Sequence, residues 1–225
     1  MPSSTAASSA ARVLLVDKPA GITSHDVVAR VRREHDSKTG HAGTLDPFAT
    51  GLLIVLVGRQ ATREQAAFMS LPKSYEVSAR FGAISTTADP EGEITETGVV
   101  PDGPLELPTG TIRQVPPAYS AVKLGGERAY TRARRGEELK MPPRIVEVHR
   151  FEQLWREGER AGFAIECSSG TYVRSLIAGL GDAYCEQLHR TAIGPFKVDE
   201  AGAQLALEQA LARLDEAFPG RVRSR

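Results

Sequence analysis

The chain has 225 residues, 41% of them hydrophobic, and its 28 basic and 28 acidic side chains cancel to a formal net charge of zero. That apolar content suffices for one large domain, or a domain with a subdomain, and excludes a disordered chain. A zero net charge argues mildly against a nucleic-acid binder, and no apolar run reaches the ~18 residues of a membrane span.

Residues 1–11, rich in Ser and Ala, read as a disordered tail without the apolar core or basic start of a secretory signal, so a cytoplasmic location is expected. Val13 to Asp17 predicts a short buried strand, ended by Lys18-Pro19-Ala20-Gly21. Thr23 or Ser24 can cap a helix in which Val27, Val28 and Val31 recur at helical spacing as far as Glu34. Leu52 to Val57 is continuously apolar, the pattern of a strand buried on both faces. Ala61 to Met69 reads as a helix, and Tyr75 to Phe81 alternates as a strand with one wet face does. From Ile84 to Gly110 the chain carries six acidic residues (Asp89, Glu91, Glu93, Glu96, Asp102, Glu106) and no Lys or Arg, and its prolines forbid a long helix. A loop with short strands and a solvated acidic face is predicted there. Ala118 to Leu124, Ile145 to Trp155 and Phe163 to Cys167 predict further strands, with Gly125-Gly126 a turn. Tyr172 to Glu186 suits a helix interrupted by Gly179 and Gly181, and Leu205 to Leu214 an amphipathic helix. The irregular interleaving, with neither a βαβ repeat nor a G-x-G-x-x-G, predicts an α+β fold with a mixed, mainly antiparallel central sheet flanked by helices.

Cys167 and Cys185 form no C-x-x-C pair, and the five histidines never fall at the i, i+4 spacing of a helical metal pair. Two core thiols and no metal are expected. The stretch that carries chemistry is Lys38 to Gly51, where Asp46 stands in a Gly-rich loop leading into an apolar strand. Pro47 biases Asp46 away from helical dihedrals, so its carboxylate is held in place. Arg30, Arg32, Arg33 and Lys38 precede this loop, and eight basic against four acidic residues lie between Lys123 and Arg150. Such clusters flanking one loop suit phosphate recognition.

Four separated blocks then coincide in order: Leu-Val-Asp-Lys-Pro-Ala-Gly-Ile-Thr-Ser at 15–24, Gly-His-Ala-Gly-Thr-Leu-Asp-Pro-Phe-Ala-Thr-Gly at 40–51, Lys-Ser-Tyr at 73–75 and Ser-Ser-Gly-Thr-Tyr-Val-Arg-Ser-Leu at 168–176. Together they resemble the TruB family of tRNA pseudouridine synthases, which isomerise uridine 55 in the T loop. The resemblance runs from about Val13 to Val198. It implies the pseudouridine synthase fold, tRNA as partner through its T arm, a monomer and no cofactor. It also implies that Asp46 is the catalytic carboxylate, that Tyr75 stacks on the target base, and that Arg174 pairs with the carboxylate. His41 would enter the T loop where the base has left, beside Thr44 in the same loop, and Leu188 would line the pocket. Lys18 and Pro19 are expected to brace the fold next to the Asp46 loop and take no part in the chemistry. An RNA-clamping insertion is expected over about 123–144, with Lys123, Arg128 and Arg132 as phosphate contacts.

The resemblance bounds a catalytic domain at 12–200, followed at 201–225 by a helix and tail where many members continue into a PUA-type RNA-binding domain. It departs from the family where Ser85-Thr86-Thr87 replaces the usual Thr-Asp-Thr before Asp89 and Gly92. A looser loop is expected there, without effect on the catalytic set. The alternative readings are a tRNA-folding chaperone with little turnover and a synthase for another RNA.

Overall fold

The computed structural model describes residues 11–117, 123–128, 132, 135, 137, 139 and 141–220. In chain order its elements begin with β1 (Arg12–Lys18), α1 (Ser24–His35), β2 (Thr39–His41), β3 (Thr50–Val57), α2 (Arg59–Arg63), α3 (Gln65–Met69) and β4 (Lys73–Phe81). There follow β5 (Ala83–Ser85), β6 (Ile94–Glu96), β7 (Gly110–Gln114), β8 (Lys123–Leu124), β9 (Glu127–Arg128), β10 (Arg144–Glu157) and β11 (Arg160–Cys167). The last are α4 (Val173–Ala178), β12 (Ala183–Ile193), β13 (Phe196–Lys197), β14 (Gln204–Ala206) and α5 (Leu207–Ala217). The chain divides into two compact units, one running up to Leu71 and resuming at Arg190, the other comprising Pro72–His189. Among the described residues no helix is long and apolar enough to cross a membrane.

In the first unit β1 lies antiparallel between β14 and β3, with Val13 opposite Leu205 and Leu56. The apolar run of β3 is buried on both faces, as its composition predicts, because successive side chains point oppositely. Leu52, Ile54 and Leu56 join Leu15, Phe68, Phe196 and Leu214 in one cluster. Leu53, Val55 and Val57 meet Val27 and Val31 of α1 in another. At ~1.5–3 kcal/mol for each large aliphatic side chain removed from water, this strand is the main anchor of the unit. Thr23 caps α1 in a capping box with Asp26, its hydroxyl accepting the Asp26 N–H at 3.1 Å. The helix expected over Ala61–Met69 is instead two short ones, α2 and α3. At Glu64 the backbone tightens, its N–H reaching back three residues to the Ala61 carbonyl at 3.1 Å.

The second unit is an antiparallel sheet in the order β4, β11, β10, β7, with the Ala183–His189 part of β12 beside β4. Tyr75 stands opposite Ile165, and Val77, Ala79 and Phe81 turn inward as the alternation predicts. The helix expected to reach Glu186 stops at Ala178, and Ala183 begins a strand. Gly179 and Gly181, the latter at φ +133°, end the helix, and Ala183 opens β12, which pairs with β4 while the Cys185 N–H donates to the Ala88 carbonyl at 3.1 Å. Cys167 and Cys185 are both buried thiols outside any disulfide, and burial pushes the Cys167 thiol up to about 11.

Candidate active site

Asp46 lies in the first unit, half-buried on the loop between β2 and β3, with His41 and Thr44 at its start. The sequence around it dictates a bridged loop. Lys18, fully buried at the end of β1, spends its ammonium on three carbonyls: Pro19 and Ile22 at 2.8 Å and Pro47 at 3.2 Å. A buried cation is tolerated only when its donors are satisfied, so these bonds fix Pro47, the residue after Asp46. The Gly21 N–H also donates to the Pro47 carbonyl, at 2.9 Å, and the Ala49 N–H to that of Asp46, at 3.1 Å. Gln65 of α3 donates its amide to the His41 carbonyl at 2.7 Å. Lys18 is thus the brace that its position predicted. The loop carries its carboxylate on a backbone anchored to β1, to α3 and to its own turn.

Tyr75, Arg174 and Leu188 belong to the second unit. Tyr75 is half-buried on β4, and Leu188 is buried on the adjoining strand β12. Arg174, on α4, is 3% exposed. Its Nη1 donates to the Thr87 carbonyl at 2.7 Å and to Oδ2 of Asp89 at 2.9 Å. Asp89 is equally buried, and its carboxylate also accepts the Thr87 hydroxyl and, at 3.0 Å, the Glu91 N–H. The Ser85 hydroxyl donates to the Asp89 carbonyl at 2.6 Å. Gly92 completes the wrap, because a Cβ there would lie 2.4 Å from the Thr87 hydroxyl oxygen.

Two sequence expectations are corrected here. Asp89 is no part of a solvated acidic face, and the segment departing from the family pattern reaches Arg174 of the proposed set. Sequence reasoning missed Asp89 because it stood among five other acidic residues. The available signal was its neighbours, two short hydroxyl side chains and a glycine around one carboxylate.

The basic insertion is built differently. Lys123 and Arg128 are register partners along the backbone of the β8–β9 hairpin that Gly125-Gly126 closes. Arg132 is paired with Glu137 at 2.7 Å, and Arg135 with both Glu127 at 2.7 Å and Glu137 at 2.8 Å. The two guanidinium groups hold the Glu137 carboxyl below its ordinary range, Arg132 foremost. Residues 118–122 of the strand expected over Ala118–Leu124 lie outside the described residues, as do Arg134 and Lys140.

A mixed α+β architecture with an extensive, mostly antiparallel sheet defines a fold class, and solved structures share it. The chain matches a crystal structure of a Cbf5-Nop10-Gar1 complex with a TM-score of 0.62 and 32% identity over 84% of its own length, spanning 50% of that chain. A model for TruB family pseudouridylate synthase (N terminal domain) matches residues 31–173. The tRNA pseudouridine synthase B of Arthrobacter sp. (strain FB24) is 41% identical over 91% of this chain and 74% of its own. That of Thermobifida fusca (strain YX) is 44% identical over 91% of this chain and 78% of its own. That of Nocardia farcinica is 46% identical over 84% of this chain and 67% of its own. The chain belongs to the TruB family and is a pseudouridylate synthase, an isomerase that turns uridine into pseudouridine.

Proposed function

We propose that the chain isomerises uridine 55 in the T loop of tRNA, in the cytoplasm and as a monomer, with Asp46 as the reacting carboxylate. The observation that carries this reading is the loop around Asp46, braced by a fully buried Lys18 that contributes three hydrogen bonds to its surroundings. The bond from C1′ to N1 breaks, the uracil turns over, and C1′ rejoins at C5. The C5 proton leaves and N1 gains one, so atoms and electrons balance without a cofactor. A carboxyl with an ordinary pKa of ~3.9 is ionised at neutral pH and can attack C1′ or take the C2′ proton.

The target base must first leave its stack, at a cost of about a few kcal/mol. Stacking on Tyr75 returns ~1–3 kcal/mol, and His41 filling the vacated place offsets part of the remainder. Leu188 gives the pocket an apolar wall. Arg174 supplies the cation of the set, and Lys123, Arg128 and Arg132 contribute phosphate contacts from the insertion. The test is tritium release from C5-labelled uridine in a T-arm hairpin. The intact chain is expected to release tritium, and Asp46→Asn to bind the hairpin without release. Equal release by the variant would remove Asp46 from the reaction. Binding without release by both proteins would favour a folding chaperone.

A further inference from the structure

Two buried polar side chains, Ser24 and Arg190, converge on the Asp46 loop and stand outside the set derived so far. Ser24, the first residue of α1, accepts the Leu45 N–H at 2.9 Å and donates to the Leu45 carbonyl at 3.1 Å. One hydroxyl therefore closes both backbone groups of the residue before Asp46, the work that a neighbouring strand would otherwise do. Arg190, on β12 and 1% exposed, donates from Nε to the Leu52 carbonyl at 2.7 Å. Its Nη2 reaches the Gly43 carbonyl at 3.2 Å and its Nη1 that of Thr44 at 3.4 Å. A single planar guanidinium thus holds the loop before Asp46 and again where the chain has entered β3.

Gly51 shows how closely β12 approaches. A Cβ on it would lie 2.4 Å from the Arg190 carbonyl oxygen, and its φ of +101° is one that L side chains rarely adopt. Burying a guanidinium is costly, and an apolar side chain of similar volume would fill the same space more cheaply. What an apolar residue could not do is aim donors at two carbonyls of the loop and a third at the start of β3.

We propose that Ser24 and Arg190 are positioning residues for the isomerisation, setting the place of the Asp46 carboxylate through the backbone of Gly43, Thr44 and Leu45. The inference rests on the reading of Asp46 as the reacting carboxylate. Its physical warrant is that a displacement of about 1 Å in a reacting group can cost on the order of a hundredfold in rate. Neither side chain needs to touch RNA for this.

The experiment is the single-turnover rate constant of pseudouridine formation with the enzyme in saturating excess over a T-arm hairpin. That constant reports bound RNA reacting and does not change with the fraction of enzyme that is folded. Ser24→Ala, which removes one oxygen, is expected to slow it ~10–100-fold with the hairpin Kd within about twofold of the parent. Arg190→Lys keeps the charge but loses the fork, and is expected to slow it by a similar factor. The double variant should lose less than the product of the two, because both act on one loop. Parent-like rate constants for both single variants, with Asp46→Asn inactive, would overturn the positioning role alone. A weakened Kd with an unchanged rate constant would overturn it as well. A parent-like rate constant for Asp46→Asn would instead overturn the underlying reading.

Discussion

The Asp46 loop and the insertion around Glu127–Glu137 both depend on cations, yet they use them in opposite ways. In the loop, Lys18 is buried, and its donors go to carbonyls of the backbone. In the insertion, Arg132 and Arg135 are partly exposed and pair with Glu127 and Glu137. A buried ammonium whose donors are met by backbone carbonyls holds the chain around it in place. A surface ion pair adds little stability and can be exchanged for a phosphate at little cost. The difference suits the proposed roles, a rigid element for the Asp46 carboxylate and an adaptable one for RNA.

The sharpest way to extend that contrast is to ask whether the buried rule also governs the second unit. Asp89→Ala removes the buried carboxylate that Arg174 Nη1 contacts at 2.9 Å, and breaking such a pair costs ~3–5 kcal/mol. A chemical-denaturation midpoint should fall accordingly, and pseudouridine formation should fall with it, because Arg174 is a member of the proposed set. A denaturation midpoint within error of the parent would show that the pair is dispensable. Next in size is Lys18→Met, which keeps the volume and removes the donors to the carbonyls of Pro19, Ile22 and Pro47. The expected loss is ~2–3 kcal/mol, smaller because carbonyls bear unmet bonds more readily than a charge does. If thermal unfolding of Lys18→Met matched the parent, the brace would be ornamental.

How far these features could be read in the sequence depends on what each one requires. The Asp46 loop was legible as a held turn, because glycines and a proline surround one carboxylate before an apolar strand, and only the order of the blocks suggested a chemical role for it. Strand β3 was legible because a run of six apolar residues from Leu52 to Val57 needs cover on both faces. Asp89 was not, since burial of one acidic residue among six depends on Arg174, 85 positions away. Ala183–Glu186 was misread because Ala, Tyr, Cys and Glu are compatible with helix or strand, and the adjacent strand decides. Ser24 looked like a cap, and its true work lies on Leu45, a contact that local pattern does not encode.

The smallest effect tests the other half of the contrast, the exchangeable ion pairs. Glu137 is held in its charged form by Arg132 and Arg135, so its carboxyl titrates below the ordinary glutamate value. A group depressed on folding contributes above its unfolded pKa and loses that contribution as pH falls through the folded one. The pairs are therefore intact at neutral pH and dissolve only in acid. Glu137→Gln should do at pH 7 what acid does to the parent, releasing Arg132 and reducing the hold on Arg135. If those guanidinium groups meet phosphates, T-arm hairpin affinity at low salt should rise ~2–5-fold, and each added phosphate contact should steepen the slope of log K against log salt by ~0.7–0.9. Stability should change little, since the pairs are exposed. An unchanged affinity and slope would mean that these arginines serve the insertion's own fold, and the phosphate role would then fall to Lys123 and Arg128 on the β8–β9 hairpin.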